Sequence, residues 1–202
     1  YFYFDVKNLV EEFLSARTKN RLVVMTGLRR TGKTTSLLQI YDYLVNEKKM
    51  EQNRVFYFSA DELVKFLKKS VFETVKTFVE EVHQATIPTV NKKLIILIDE
   101  AHYDKEWSAA AKTIFDQTDE IFTIFTVSSA LEIELSQDTA SRAIKQRVYP
   151  LSFSEYLEFK YNVEKIQQTR EALKQMLLNA TEKNFTEFTR IEQEFNTKYL
   201  AI

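Results

Sequence analysis

Apolar residues along the chain alternate between two rhythms. Val6, Leu9, Val10, Phe13 and Leu14 recur at the spacing of a helix with one buried face, which predicts a helix over 5–17. Residues 22–26, Leu-Val-Val-Met-Thr, then form a continuous apolar run of strand length. Leu37, Leu38, Tyr41, Leu44 and Val45 return to helical spacing and predict a helix ending near Lys48. Residues 54–58 predict a second strand, ending at Ser59-Ala60-Asp61. Val71, Phe72, Val75, Phe78, Val79 and Val82 define another helix, stopped before Pro88.

Leu94-Ile95-Ile96-Leu97-Ile98 is uninterrupted aliphatic, as a central strand covered on both faces should be. Asp99-Glu100-Ala101-His102 follows at once. A helix is predicted from about Trp107 to Phe115, then a strand over 121–127 ending in Ser128-Ser129, and a short last strand over 147–149 closed by Pro150. Ser152-Phe153-Ser154-Glu155 has the form of a capping box. Residues 163–200 read as helical in about two segments.

Strands alternating with helices imply an α/β fold with a mostly parallel sheet, right-handed crossovers and helices on both faces. Ligands of such sheets sit beyond the carboxyl ends of the strands. The loop after the first strand, Asp99-Glu100 and Ser128-Ser129 all occupy that kind of position, so they are expected to converge. The expected organisation is a core over 1–160, including the first helix, and a helical extension over 161–202.

Composition sharpens one of these positions. The chain has two glycines in 202 residues, where an average composition supplies roughly 7%, or about 14. Both fall in Gly27-Leu28-Arg29-Arg30-Thr31-Gly32-Lys33-Thr34, the complete phosphate-loop pattern G-x-x-x-x-G-K-[ST] between a strand and a helix. A loop that wraps a polyphosphate turns its N–H groups inward, with dihedrals and close approaches that a Cβ obstructs. The following helix adds unsatisfied N–H groups and the positive end of its dipole. Lys33 then reaches the β- and γ-phosphates and the Thr34 hydroxyl ligates Mg²⁺; Thr35, the next residue, is counted with the nucleotide-binding positions. Arg29 and Arg30 lie inside the loop itself.

The aspartate closing an aliphatic strand downstream is the acidic counterpart. Asp99 is expected to hold Mg²⁺, directly or through a water shared with Thr34, because Mg²⁺ prefers oxygen ligands and retains waters. Glu100 is placed to orient or deprotonate an attacking water, help typically worth 10²–10⁴-fold. His102 has several readings: sensing the γ-phosphate, adjusting Glu100, capping the strand end, or packing on Trp107. Ser128 is a candidate polar sensor or a simple strand terminator. Arg142 and Arg147 flank the last predicted strand, and each is a candidate for stabilising phosphoryl charge, in its own subunit or a neighbour, or for an ordinary salt bridge.

Charge and residue counts remove other classes. Twenty-eight basic and 29 acidic residues give a formal charge of −1, so there is no global electrostatic footprint for nucleic acid. With no cysteine and two histidines there is neither a disulfide framework nor a cysteine metal site. No apolar run approaches the ~18 residues of a membrane span, and no signal-peptide pattern opens the chain; a cytoplasmic protein without membrane contact is expected. A chain opening on Tyr1 and closing on Ala201-Ile202 is expected to be part of a longer one.

Taken together, GLRRTGKTT, LIILIDEAHYDKEW, TVSSA and SRAIKQRVYPLSFSEYL resemble the prokaryotic AAA-like ATPases of the archaeal-ATPase type. That family shows a G-x-R-R/Q-x-G-K-T-T loop, a D-E-x-H/Q segment followed by tryptophan, a T-G-S-S strand end and a G-R…P-L-S-F-x-E-[FY] stretch. The resemblance covers roughly 21–159, and Pro150 to Tyr156 is its most specific part. It implies a P-loop NTPase three-layer sandwich around a five-stranded sheet. Lys33 and Thr34 become Walker A residues, Asp99 and Glu100 Walker B, Ser128 sensor 1, and Arg142 the family's arginine before the last strand. Val127 and Ser141 stand where the family has glycine. Residues 195–200 (FNTKYL) resemble the start of the segment through which family members continue.

The reading that follows is an ATP-binding (or ADP-binding), Mg²⁺-dependent and ATP-hydrolysing domain, with Glu100, Lys33 and Arg142 catalytic and a mechanical or regulatory output. Its expected partners are the nucleotide, further copies of itself, and a protein or nucleic acid engaged through a missing C-terminal region. The competing reading is a nucleotide-dependent switch or scaffold with little turnover. A DEAH-type helicase, suggested by Asp99-Glu100-Ala101-His102, ranks below both, since it needs a second motor domain and further motifs that neither the length nor the near-neutral charge supports.

Overall fold

The computed structural model describes residues 2–16, 18–128 and 137–151, together with 186, 189 and 190. The chain divides into two units, Tyr1–Pro150 and Leu151–Ile202, and the sheet with both its helical layers belongs to the first. The capping box expected at 152–155 lies outside the described residues, as does nearly all of the helical region expected over 163–200.

Five strands form one sheet: β1 (Leu22–Gly27), β2 (Val55–Ser59), β3 (Leu94–Asp99), β4 (Ile121–Ser128) and β5 (Ile144–Arg147). Their order is β2-β3-β4-β1-β5, and every pairing is parallel. The described helices of this unit are α1 (Phe2–Ser15), α2 (Lys33–Asp42, prolonged by a wider π-helical turn over Tyr43–Glu47), α3 (Ala60–Glu62, prolonged likewise over Leu63–Leu67), α4 (Val71–His83), α5 (Trp107–Gln117) and the single-turn α6 (Gln137–Ala140). Among the described residues no helix is long and apolar enough to cross a membrane.

The aliphatic strands are buried on both sides because successive side chains feed two separate cores. Val23, Met25, Ile95, Leu97, Phe122 and Ile124 pack with α1 and α2 through Val6, Val10, Phe13, Leu37 and Ile40. The alternate positions, Leu22, Val24, Leu94, Ile96, Ile98 and Phe125, pack with α4 and α5 through Val75, Val79, Trp107, Ala111 and Ile114. The handedness of parallel crossovers requires this division. The connection from β1 runs to the far edge of the sheet, whereas those from β2 and β3 return toward β1. Chains leaving β1 and β3 therefore depart to opposite faces, opening a crevice at their carboxyl ends.

Several helix ends are closed by contacts distant in sequence. The Ser70 hydroxyl accepts the Glu73 N–H while the Glu73 carboxylate takes the Ser70 N–H, a capping box that starts α4. The Lys93 ammonium donates to the carbonyls of Phe13, Leu14 and Ala16 at 2.5–3.2 Å, closing the C-terminus of α1. Buried Arg21 does the same for α5, donating to Phe115 O at 2.7 Å and Thr118 O at 3.2 Å with its guanidinium 3.8 Å from the Phe115 ring centre.

Two elements depart from the sequence reading. The last strand is Ile144–Arg147, earlier than the expected 147–149, because its pairing with Val23–Thr26 sets its position. Val148 adds one further bond, its N–H to Thr26 O at 2.7 Å, just past the strand. α3, the short helix after β2, was not anticipated: its eight residues supply too little periodicity to stand out.

Candidate nucleotide site

The crevice at the carboxyl ends of β1, β3 and β4 gathers the phosphate loop, both acids and Ser128. The loop's two glycines serve different ends. Gly32 has φ +93° and is the N-cap of α2, a conformation in which L side chains are strained. At Gly27 the constraint is space: an added Cβ would lie 2.3 Å from the Val148 carbonyl oxygen. Gly27 thus admits the neighbouring backbone, and Gly32 turns the chain into the helix. Arg30 takes a second left-handed turn, φ 65°, and the Thr31 hydroxyl donates to Leu28 O at 2.9 Å. Leu28, Arg29 and Arg30 are exposed. No side chain caps the start of α2, which leaves its first-turn N–H groups for an anion.

Lys33 is buried, and its ammonium donates to the carbonyls of Gly27 at 3.0 Å and Leu28 at 2.8 Å. Burial pushes its pKa down, opposed by the charges of Glu100 and Asp99. Thr34 and Thr35 are exposed in the first turn of α2. The Thr34 hydroxyl donates to Asp99 Oδ2 at 2.7 Å. Loop and acid are in contact across 65 residues of sequence.

Asp99 is buried at the end of β3. Its Oδ1 accepts a short bond from the Thr126 hydroxyl, and the Thr126 oxygen accepts the Glu100 N–H at 2.8 Å. Glu100 itself adopts φ 50°, ψ 42°, a left-handed conformation that costs a non-glycine residue about 1–2 kcal/mol. His102 Nε2 lies 3.4 Å from Glu100 Oε2, and its ring packs on Tyr103 with centres 4.7 Å apart. Of the sequence alternatives for His102, the geometry supplies the neighbour to Glu100. Trp107 packs on Phe125 instead.

Ser128, half-buried, ends β4 in register with Gly27. It projects on the same side of the sheet as Thr126, since the two are separated by one residue along the strand.

Arg142 is not brought to this crevice. It precedes β5, at the amino edge of the sheet, where Nε pairs with Asp116 Oδ1 at 2.7 Å and Nη1 donates to Asp138 O at 2.7 Å. α5 runs back from the carboxyl edge, so Asp116 near its end lies far from the phosphate loop. A role for Arg142 on a phosphate in its own subunit is therefore set aside. Arg147 closes β5 in register with Thr26, at the correct edge, and its guanidinium is 5.9 Å from the Tyr149 ring centre.

Two participants were missed in the sequence. Thr126, matched above only as the first residue of the T-G-S-S strand end and given no role there, bridges Asp99 and the Glu100 backbone. Tyr57 on β2 faces Asp99 closely enough to feel its charge; burial, then the carboxylates of Asp99 and Glu62, push its phenol up to about 12. The donor set suits Mg²⁺. Thr34 and Asp99 offer hard oxygens only, and among the described residues no three His, Cys, Asp or Glu side chains converge. An ion here would complete its shell from water and phosphate, as Mg²⁺ does.

Comparison with known proteins agrees with this architecture. Residues 19–157 match the family model described as AAA domain. The uncharacterized protein MJ1637 of Methanocaldococcus jannaschii is 37% identical over 207 residues, covering all of this chain and 41% of that protein. An uncharacterized protein of Haemophilus influenzae is 25% identical over 156 residues, covering 76% of this chain and 37% of its own length. The chain thus spans about two fifths of the curated relatives it matches. Among solved structures, a DNA replication initiation factor superposes with a TM-score of 0.52 at 18% identity, covering 96% of this chain and 60% of that one. PCH-2 of C. elegans gives 0.51 at 17%, covering 87% and 46%. At these identities the structures speak for the fold, and the family match speaks for kinship. A five-stranded parallel sheet of this order, a phosphate loop and the match over 19–157 lead to one assignment: the chain belongs to the AAA domain family, with the P-loop nucleotide-binding fold.

Proposed function

We propose that this domain binds ATP with Mg²⁺ and hydrolyses it, and that the longer protein turns this into a mechanical or regulatory output. The observation that carries the reading is the 2.7 Å bond between Thr34 and Asp99, which joins the start of the phosphate-loop helix to the acid strand. Thr34 and Asp99 would hold the ion, which when bound supplies positive charge against the phosphates. Lys33, strapped to the loop's own carbonyls, exchanges them for phosphate oxygens. Backbone N–H groups of residues 28–35 cradle the anion. Glu100 takes a proton from, or orients, the attacking water. Ser128 contacts the γ-phosphate, Arg147 is the arginine at the carboxyl edge of the same subunit, and Arg142 would serve only toward the phosphate of a neighbouring copy.

A switch with little turnover stays as the second reading. The 3.4 Å approach of His102 to Glu100 favours it, since a protonated His102 would compete with water for the Glu100 carboxylate. Steady-state phosphate release separates the two. Mg²⁺-dependent turnover that Glu100→Gln lowers by at least 10²-fold, with ATP affinity kept, supports hydrolysis. Tight binding without turnover in the unmodified chain leaves the switch. Lys33→Ala should abolish calorimetric ATP binding in a folded protein; unchanged affinity would defeat the nucleotide assignment altogether. Oligomerisation and engagement of a protein or nucleic acid through the rest of the longer chain belong to the same proposal.

A further inference from the structure

The β3–β4 ladder stops one residue short of the acids. Its register runs from Leu94 opposite Ile121 to Ile98 opposite Phe125, so Thr126 is the next residue of β4. There the Glu100 N–H is taken by the Thr126 side chain at 2.8 Å, and Glu100 turns into its left-handed conformation, φ 50°. A hydroxyl has one proton to give. Thr126 gives it to Asp99 Oδ1, so the chain of bonds has a fixed direction: Glu100 N–H to Thr126 O–H to Asp99. Thr126 is fully buried, and its bond to Asp99 lies in the interior.

We propose that Thr126 is a positioning residue that holds both acids at once, fixing the Asp99 carboxylate toward Thr34 and the backbone turn that aims Glu100. Buried and paired on Oδ1, Asp99 keeps Oδ2 on the Thr34 hydroxyl. Without the Thr126 oxygen the Glu100 N–H loses its acceptor, and its left-handed turn is left to the bond from Tyr103 N–H to Glu100 O at 3.1 Å. A valine of the same shape keeps the packing and removes both bonds, leaving a part-buried donor and a buried carboxylate oxygen without this partner. The consequence for turnover rests on the hydrolysis reading above; the consequence for the Glu100 backbone does not.

The test compares Thr126→Val and Thr126→Ser in the full chain by two readouts. Amide exchange at Glu100 should accelerate by at least 10-fold in the valine variant and return to the parent value in the serine variant, with Ile98 unmoved in both. In phosphate release, kcat should fall on the order of 10²-fold for valine, the scale of a 1 Å misplacement, and recover with serine. ATP affinity without Mg²⁺ should stay within about twofold in both, since the hydroxyl touches no phosphate-loop atom directly. Equal exchange at Glu100 in parent and valine chains overturns the proposal. So does an equal loss of kcat in both variants, which would assign the effect to packing. A parent chain without turnover defeats the hydrolysis reading, while the exchange comparison still decides the brace.

Discussion

Adding one methyl group to each glycine separates the two jobs of the phosphate loop. In Gly27→Ala the new Cβ would meet the Val148 carbonyl oxygen at 2.3 Å, and ordinary contact begins at 3.4 Å. Neither partner is a flexible side-chain tip. Val148 is buried, and its N–H bond to Thr26 O at 2.7 Å anchors the chain beyond β5 to β1. A retreat large enough to clear the methyl breaks that bond, about 1 kcal/mol, and repacks a buried side chain, about 1–3 kcal/mol. The expected loss is about 2–4 kcal/mol. In Gly32→Ala the new Cβ meets nothing within 4 Å, and the penalty is conformational, about 1–2 kcal/mol for φ +93°. Urea denaturation of both variants, with equal slopes, measures the difference. Calorimetry with ATP adds a second contrast, because Gly32→Ala strains the loop that holds the phosphates. Its affinity should fall by at least tenfold although its stability falls less. A Gly27→Ala chain as stable as the parent, or a Gly32→Ala chain less stable than Gly27→Ala, would refute the division of roles.

Other consequences concern the helix ends. Arg21→Met should cost about 2–4 kcal/mol in urea denaturation, because it leaves the Phe115 and Thr118 carbonyls without their charged donor. Asp119→Asn should change stability by no more than about 1 kcal/mol, since its carboxylate is 60% exposed and the pair with Arg21 is screened; a larger loss there than at Arg21 would mean that the ion pair, not the cap, stabilises. Lys93→Met should cost about 1–2 kcal/mol and speed amide exchange in the last turn of α1 while sparing α4. Uniform acceleration across both helices would remove Lys93 as a cap.

What could be read along the chain was whatever repeats locally. Residues 22–26 and 94–98 had to be strands covered on both sides, and the helices beginning at Lys33, Val71 and Trp107 followed from apolar spacing. The phosphate loop and Asp99-Glu100 were legible because glycine and acidic residues are costly at those positions without a purpose. β5 starts three residues and ends two residues earlier than expected because an edge strand of alternating half-buried and exposed positions, Ile144-Lys145-Gln146-Arg147, carries little apolar signal; its partner β1 sets where it lies. Arg142 looked like a phosphate ligand while only its distance from the last strand was known. Strand order and the antiparallel run of α5 put it at the other edge, against Asp116. Gly27 was expected to make room for a ligand, and the structure gives the nearer reason, the Val148 carbonyl. Tyr57 could not be told from an ordinary strand residue, and Thr126 stood in a matched strand-end motif without a role, because a hydroxyl becomes part of a site only through what faces it, and those partners stand tens of residues away. The sequence by itself determined the elements and the chemistry available at the crevice. The tertiary structure alone decided which groups meet there, since parallel pairing fixes every neighbour across the sheet and no residue encodes its neighbour.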